Sequence, residues 1–237
     1  MPYLKKNIKK FLCIIPARAG SKGVKNKNIK LLGGKPLIYW TIKEALKIKE
    51  FSKVIVSTDS KKIQNISKKY GVDCPFLRPR NISQDKSLTI DVIKHAVKYL
   101  EAKSFDKFEN IVLLQPTSPF RKKIDIKNAI QKFLKIKRAS SLISVVEVGD
   151  SHPARMYYIN NDKLEKNKLT ESAVGKPRQN LKTMYLRNGA IYIIKKKNLN
   201  GNFLGAFPIG FLMPKDRSLN IDDNYDFKIA KNYLKKT

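Results

Sequence analysis

Apolar residues fall along this chain in short β-branched runs separated by stretches with helical spacing. Phe11–Ile15 is a strand-length apolar run closed by Pro16. Between Pro36 and Ile48 the apolar positions Leu37, Ile38, Ile42, Ala45, Leu46 and Ile48 form a helical stripe, with Pro36 in its first turn. Lys53–Ser57 reads as a second strand. A helix to about Tyr70 follows, which Asp59 or Ser60 can cap and Gly71 can end. The pattern then predicts a helix over Leu88–Leu100, a buried strand over Ile111–Gln115, a helix over Ile124–Ile136 and a strand over Ser141–Val148. Ala190–Ile194 and Phe207–Met213 complete the strands, and Asp223–Leu234 is a terminal helix. Alternation of this kind predicts an α/β fold with a mainly parallel sheet and helices on both faces.

One stretch breaks the rhythm. Residues 149–182 are polar, poor in core positions and dotted with Asn, Pro and Lys. Long loops are usually functional or disordered. The pair Tyr157-Tyr158 and the phrase Pro177-Arg178-Gln179 favour an insertion that folds against a partner subunit. The expected organisation is one unit made of 1–148 and 183–237, interrupted by that insertion.

Composition narrows the class. A chain of 237 residues with 42% apolar content suits one sizeable domain with a real core. Its longest apolar runs are strand-sized, well short of the ~20 residues of a membrane helix. The basic opening Met1–Lys10 leads into a run too short for a signal-peptide core. These features predict a cytoplasmic protein. Cys13 and Cys74 sit beside apolar residues without a CxxC pattern, so they read as small core residues. His95 and His152 show no metal-ligand spacing. The formal charge is +31, and only nine of the 50 basic residues are arginine, so the excess is lysine spread in short pairs. With no zinc finger or RNA-recognition pattern, a solvated lysine-rich surface is favoured over nucleic-acid binding. Such a field still attracts polyanionic substrates.

The densest chemistry follows the first strand, in Pro16-Ala17-Arg18-Ala19-Gly20-Ser21-Lys22-Gly23 and on to Lys27-Asn28. Glycines there let the backbone approach an anion, and Arg18, Lys22 and Lys27 place three cations around the loop. The pattern is neither GxxxxGK[ST] nor GxGxxG. Further along, Gln115 ends a predicted strand, where open α/β sheets bind ligands.

With these motifs in view, the chain resembles the acylneuraminate cytidylyltransferases, the CMP-sialic acid synthetases and their relatives acting on legionaminic and pseudaminic acids. The likeness runs in order through IIPARAGSKGVKNKNIKLLGGKPLIYWTIKEAL, VIVSTDS, FLRPRNISQDKSLT, LLQPTSPFR, PRQNL, RNGAIYI and LNIDDNYDF. It implies a three-layer Rossmann-like nucleotidyltransferase fold with a small dimerisation insertion. It implies a nucleotide-binding unit that transfers CMP from CTP to a nonulosonic sugar acid and releases pyrophosphate. Kdo, another sugar acid, is the alternative acceptor, and a catalytically weak nucleotide- or nucleic-acid-binding protein is the alternative from another class.

The resemblance assigns roles residue by residue. Arg18, Ala19, Gly20, Ser21, Lys22, Gly23, Lys27 and Asn28 match the triphosphate loop, with Arg18 and Lys27 holding the phosphate charge. Arg78 and Thr89 fall where the family reads cytosine. Gln115, Arg155, Arg178 and Asn188 fall where it contacts the sugar acid or covers the site, with their own or the partner's site left open for the two arginines. Relatives carry Asp-x-Asp before the last helix; this chain has Asn220-Ile221-Asp222. Asp222, with Asn220 as a neutral carbonyl ligand, is therefore expected to hold Mg²⁺ or Mn²⁺, more weakly than two carboxylates do. Leu186-Arg187-Asn188 replaces the Arg-Pro-Asn of some relatives, which puts the arginine one residue out of place.

Overall fold

The computed structural model describes residues 11–21, 23–103, 107–170 and 177–236, without the side chains of Arg178 and Lys236. The six strands and five helices that the pattern predicts occur in the expected order, and four short strands are added to them, so that among the described residues there are ten strands and five α-helices. They are β1 (Phe11–Pro16), β2 (Leu31–Leu32), β3 (Lys35–Pro36), α1 (Leu37–Ala45), β4 (Phe51–Ser57), α2 (Lys61–Lys69), α3 (Thr89–Lys103), β5 (Asn110–Leu113), α4 (Lys123–Lys135), β6 (Ser141–Glu147), β7 (Tyr157–Asn160), β8 (Lys163–Lys166), β9 (Tyr185–Lys195), β10 (Pro208–Leu212) and α5 (Asn224–Lys236).

Six strands form one sheet in the order β10-β6-β9-β5-β1-β4. β1 pairs in parallel with both β4 and β5, and β10 with β6. β9 runs antiparallel to both of its neighbours, the exception to the expected parallel sheet. Alternation along β1 sends Cys13 and Ile15 to one face and Leu12 and Ile14 to the other. The first face packs against α1, α2 and α4, through Ile42, Ile63 and Ile130. The second packs against α3, through Ile93, Ala96 and Leu100. This gives three layers. Cys13 and Cys74 are both fully buried, as small core residues.

A third, separate cluster matters for the site. Leu32, Leu37, Val24, Ile221, Phe227 and Ala230 pack α5 onto the hairpin β2–β3 and the start of α1. That hairpin turns through Gly33-Gly34. Pro36 consequently belongs to it rather than to the helix, and α1 begins at Leu37 and ends three residues short of Ile48. Ser60 caps α2, its hydroxyl accepting from the Ile63 amide at 3.3 Å, and Asp59 is left for another task.

Within 149–182, β7 and β8 pair as a hairpin outside the six-stranded sheet. Tyr158, Ile159 and Leu164 on it are 62–75% exposed. Among the described residues, no helix is long and apolar enough to cross a membrane.

Candidate active site

From β1 the chain crosses to β4 on one side and later returns to β5 on the other, so the carboxyl ends of β1 and β5 flank a point where strand order reverses. Open α/β sheets place ligands in such a crevice. Here it is a cleft of about 470 Å³ lined by Pro16, Arg18, Ser21, Gly23, Lys27, Asn28, Arg78, Thr89, Gln115, Thr117 and Asp222, with the segment Ile82–Asp85 on its rim.

The loop after β1 is shaped before any ligand arrives. The Ala17 amide donates to the Ser57 carbonyl at 2.9 Å, and the Ala19 amide to the Asp59 carboxylate at 2.9 Å. Asn28 is buried and donates to the Arg18 carbonyl at 2.9 Å. Asn28 thus braces the loop from behind. Gly20 is exposed over open space. Gly23 is not: a Cβ there would overlap the Asp222 carbonyl oxygen, so glycine permits the loop to touch the segment before α5. Lys27 joins the same two segments. Its ammonium donates to the carbonyls of Ile221 at 2.8 Å and Asp222 at 3.3 Å and lies 3.6 Å from the Asp222 carboxylate. Lys22 lies outside the described residues.

Among the described residues, each cation lining the cleft has an acidic neighbour. Arg18 is paired with Asp85 across the cleft, Lys27 with Asp222, and Arg78 feels Asp59. Arg78 is 5% exposed and its Nε donates to Ser83 Oγ at 3.0 Å. Burial pulls its pKa below the usual arginine value; Asp59 opposes the shift and Arg18 adds to it. Thr89 opens α3 at the cleft's edge.

Gln115 follows β5 and reaches the cleft from below. Its backbone carbonyl is held by the Arg121 guanidinium at 3.3 Å and the Thr41 hydroxyl at 3.4 Å. Arg121 is 1% exposed and also donates to the Ala190 carbonyl and to Thr41 Oγ1, both at 2.7 Å. Burial pulls its pKa down to about 10, against the attraction of Cys13, Asp125 and Glu44. This arginine ties the end of β5 to β9 directly under the cleft. Above it, Gly189 (φ +72°) has a backbone that L side chains rarely adopt, and a Cβ there would meet Gln115 Oε1 at 2.8 Å and Asn220 Oδ1 at 3.3 Å.

One sequence-derived role needs correction, that of Asn188. Asn188 is 3% exposed. Its amide oxygen accepts from Ser144 Oγ at 2.6 Å and the Ala190 amide at 3.2 Å, and its nitrogen donates to Ser218 Oγ at 2.9 Å and Met213 Sδ at 3.4 Å. With both ends of the amide spent on protein partners, it locks the β6–β9 crossing instead of touching a sugar. Asn220 turns its nitrogen, not its carbonyl, to Asp222, donating to Oδ2 at 2.6 Å, while Oδ1 is buried without a partner. In this arrangement the Asn220 carbonyl lies towards Gly189 rather than beside the Asp222 carboxylate. Arg155 sits in the turn Pro153–Arg155 of the excursion and does not line the cleft of its own chain. The Arg178 side chain lies outside the described residues. His152, in the same excursion, is buried and braced between the Ala154 amide and the Lys182 carbonyl.

Asp222 is freed by its neighbour. Asp223 accepts from the Asp226 amide at 2.9 Å, and Asp226 Oδ2 accepts from the amides of Asp222 at 2.8 Å and Asp223 at 3.1 Å. Asp223 therefore serves as the N-terminal cap of α5. The Asp222 carboxylate is left 73% exposed beside the cleft. One such hard oxygen donor, completed by phosphate oxygens and water, fits the way Mg²⁺ is usually held.

Comparison with known proteins agrees with this geometry. Residues 12–230 match the family model described as Cytidylyltransferase. The chain is 34% identical over 233 residues to the N-acylneuraminate cytidylyltransferase of Escherichia coli O18:K1:H7, covering 93% of itself and 51% of that protein. It thus spans about half the length of that relative. It is 33% identical over 229 residues to the CMP-N,N'-diacetyllegionaminic acid synthase of Legionella pneumophila, covering 95% of itself and 96% of that protein. Its fold is similar to a CMP:2-keto-3-deoxy-manno-octonic acid synthetase solved with CTP, at TM-score 0.68 and 15% identity over 96% of this chain and 99% of that one. The loop after β1, the crevice beside β5 and the carboxylate before α5 thus stand in a Rossmann-like nucleotidyltransferase sheet, and the chain belongs to the cytidylyltransferase family.

Proposed function

We infer that this protein transfers CMP from CTP to a nonulosonic sugar acid, with release of pyrophosphate. The observation that carries the reading is the convergence of Arg18, Lys27, Arg78 and Asp222 on one cleft at the reversal of strand order. Arg18 and Arg78 supply fixed positive charge to a triphosphate that bears nearly four negative charges. Lys27 keeps the loop and the Asp222 segment in register. Arg78 and Thr89 offer the donors and the hydroxyl that a cytosine edge can meet. Gln115 faces the acceptor, whose anomeric hydroxyl attacks the α-phosphate in line with the departing pyrophosphate.

Asp222 is the residue that would hold Mg²⁺ or Mn²⁺. A bound cation there supplies charge neutralisation on the phosphates and the leaving group. The exposed apolar residues of the β7–β8 hairpin support a homodimer, in which Arg155 reaches towards a second copy. CTP as substrate supports a cytoplasmic reaction.

The test is to mix the protein with CTP, Mg²⁺ and each of N-acetylneuraminic, legionaminic and pseudaminic acids and Kdo, and to follow pyrophosphate. Release with a nonulosonic acid supports the reading. Release with Kdo alone moves the acceptor to another sugar acid. Silence with every acceptor, together with salt-sensitive RNA or DNA binding, replaces it with a binding protein.

A further inference from the structure

The loop joining Arg78 to Thr89 carries both residues assigned to the base and also the acid that occupies Arg18. Local hydrogen bonds shape this loop: the Ser83 amide to the Arg80 carbonyl at 3.1 Å, the Gln84 amide to Ser87 Oγ at 2.8 Å, and Ser83 Oγ to the Pro79 carbonyl at 2.8 Å. The ion pair from Asp85 to Arg18 ties this loop to the loop after β1 across the cleft. Both side chains are about one-third exposed, at 36% and 32%. Asp59 holds the Ala19 amide and Asp222 lies beside Lys27. Asp85 places a carboxylate against the guanidinium that a triphosphate needs.

We propose that Asp85 is an internal competitor for the triphosphate: it holds Arg18 in the ligand-free cleft and exchanges it for nucleotide, so that phosphate binding at Arg18 releases the base-reading loop. This rests on the reading of the cleft as a triphosphate site. A solvent-accessible ion pair is weak enough to be displaced by a polyanion, yet strong enough to set an affinity. The exchange makes the two halves of nucleotide recognition interdependent. Phosphates that engage Arg18 free the loop from Arg78 to Thr89 to close on the base, and a nucleotide lacking them leaves the pair intact.

The experiment is calorimetric titration of the full chain at low ionic strength with CTP and, separately, with inorganic tripolyphosphate. It compares the parent, Asp85→Asn and Asp85→Ala, then repeats the substitutions in an Arg18→Gln background. The expected result is binding about 3- to 10-fold tighter for both Asp85 variants. In the Arg18→Gln background that gain falls to about one, because a double-mutant cycle isolates the pairwise effect. Unchanged or weaker binding in the Asp85 variants overturns the proposal. An equal gain with and without Arg18 also overturns it, since any lost negative charge would then suffice. A gain for tripolyphosphate with no CTP binding by any variant upholds the exchange and overturns the nucleotide reading instead. Absence of both ligands from the parent overturns the two together.

Discussion

Gly189→Ala tests whether the floor of the cleft reads the acceptor. The backbone at φ +72° costs an alanine about 1–2 kcal/mol. The new methyl also lies 2.8 Å from Gln115 Oε1, which must retreat by about 0.6 Å to an ordinary contact, and 3.3 Å from Asn220 Oδ1. A chain of this size loses roughly 2–4 °C in Tm per kcal/mol, so the melting point falls by about 2–8 °C. Displacement of a positioning amide by a fraction of an ångström lowers kcat/KM for the sugar acid by about tenfold. CTP affinity stays within about twofold, because Arg18, Lys27 and Arg78 are not touched. The assays are pyrophosphate release against acceptor concentration, calorimetric CTP binding and differential scanning calorimetry. An unchanged KM and kcat for the acceptor alongside the expected drop in Tm refutes the assignment of Gln115. Equal losses for CTP and acceptor refute the claim that the effect is local.

Other outcomes follow from single contacts. Asn220→Asp replaces an amide donor by a second carboxylate oxygen about 2.6 Å from Asp222 Oδ2, so the Mg²⁺ half-saturation falls by roughly threefold or more and the protein melts lower in chelator; identical metal titrations would place residue 220 outside the influence of the cation. Arg121→Met takes the guanidinium donor from the buried carbonyls of Ala190 and Gln115, leaving Gln115 the longer bond from the Thr41 hydroxyl, and costs about 2–4 kcal/mol in calorimetry; a loss below about 1 kcal/mol would show that those carbonyls are satisfied without the arginine. Cys13 and Cys74 resist Ellman's reagent at pH 8 until denaturant is added. Burial pushes both thiols up, Cys74 to about 11, so little reactive thiolate is present at pH 8; rapid labelling of the native protein would contradict the burial of whichever cysteine is labelled.

Much of this was legible from residue pattern. Apolar periodicity carries direct information about burial, so among the described residues the helices and the strands of the main sheet lie on a run or stripe, with β9 extending well before its run. Strand direction leaves no such trace, and the antiparallel course of β9 is invisible in Ala190–Ile194. Its first residues, Tyr185–Arg187, are exposed and have no apolar run to announce them. The hairpin β2–β3 is two residues a side, below the length at which alternation can be read, although Gly33-Gly34 marks its turn. In the site, the loop after β1 and Asp222 were found through motifs. Asn188 was misread because a polar residue in a motif looks the same whether it faces a ligand or satisfies buried hydroxyls. Arg121 ended a recognised motif, but a fully buried arginine has no sequence mark. Asp59 was read only as a possible helix cap and Asp85 was passed over; the available signal was the rarity of acids, since 19 face 50 basic residues.

The seam between Gly23 and Asp222 has a consequence for how this protein fails. Lys27 and Ile221 are 194 residues apart, so the seam closes one of the longest loops in the chain. Its support is the small cluster under α5, which is separate from both faces of the sheet. Such a cluster is the material of a local opening event, whose free energy lies below that of global unfolding. When α5 lifts, Asp222 leaves, Lys27 loses its carbonyls and the loop after β1 loses its wall, all while the sheet stays folded. Warming is therefore expected to open the cleft before the sheet melts, and cooling to close it again without refolding the core.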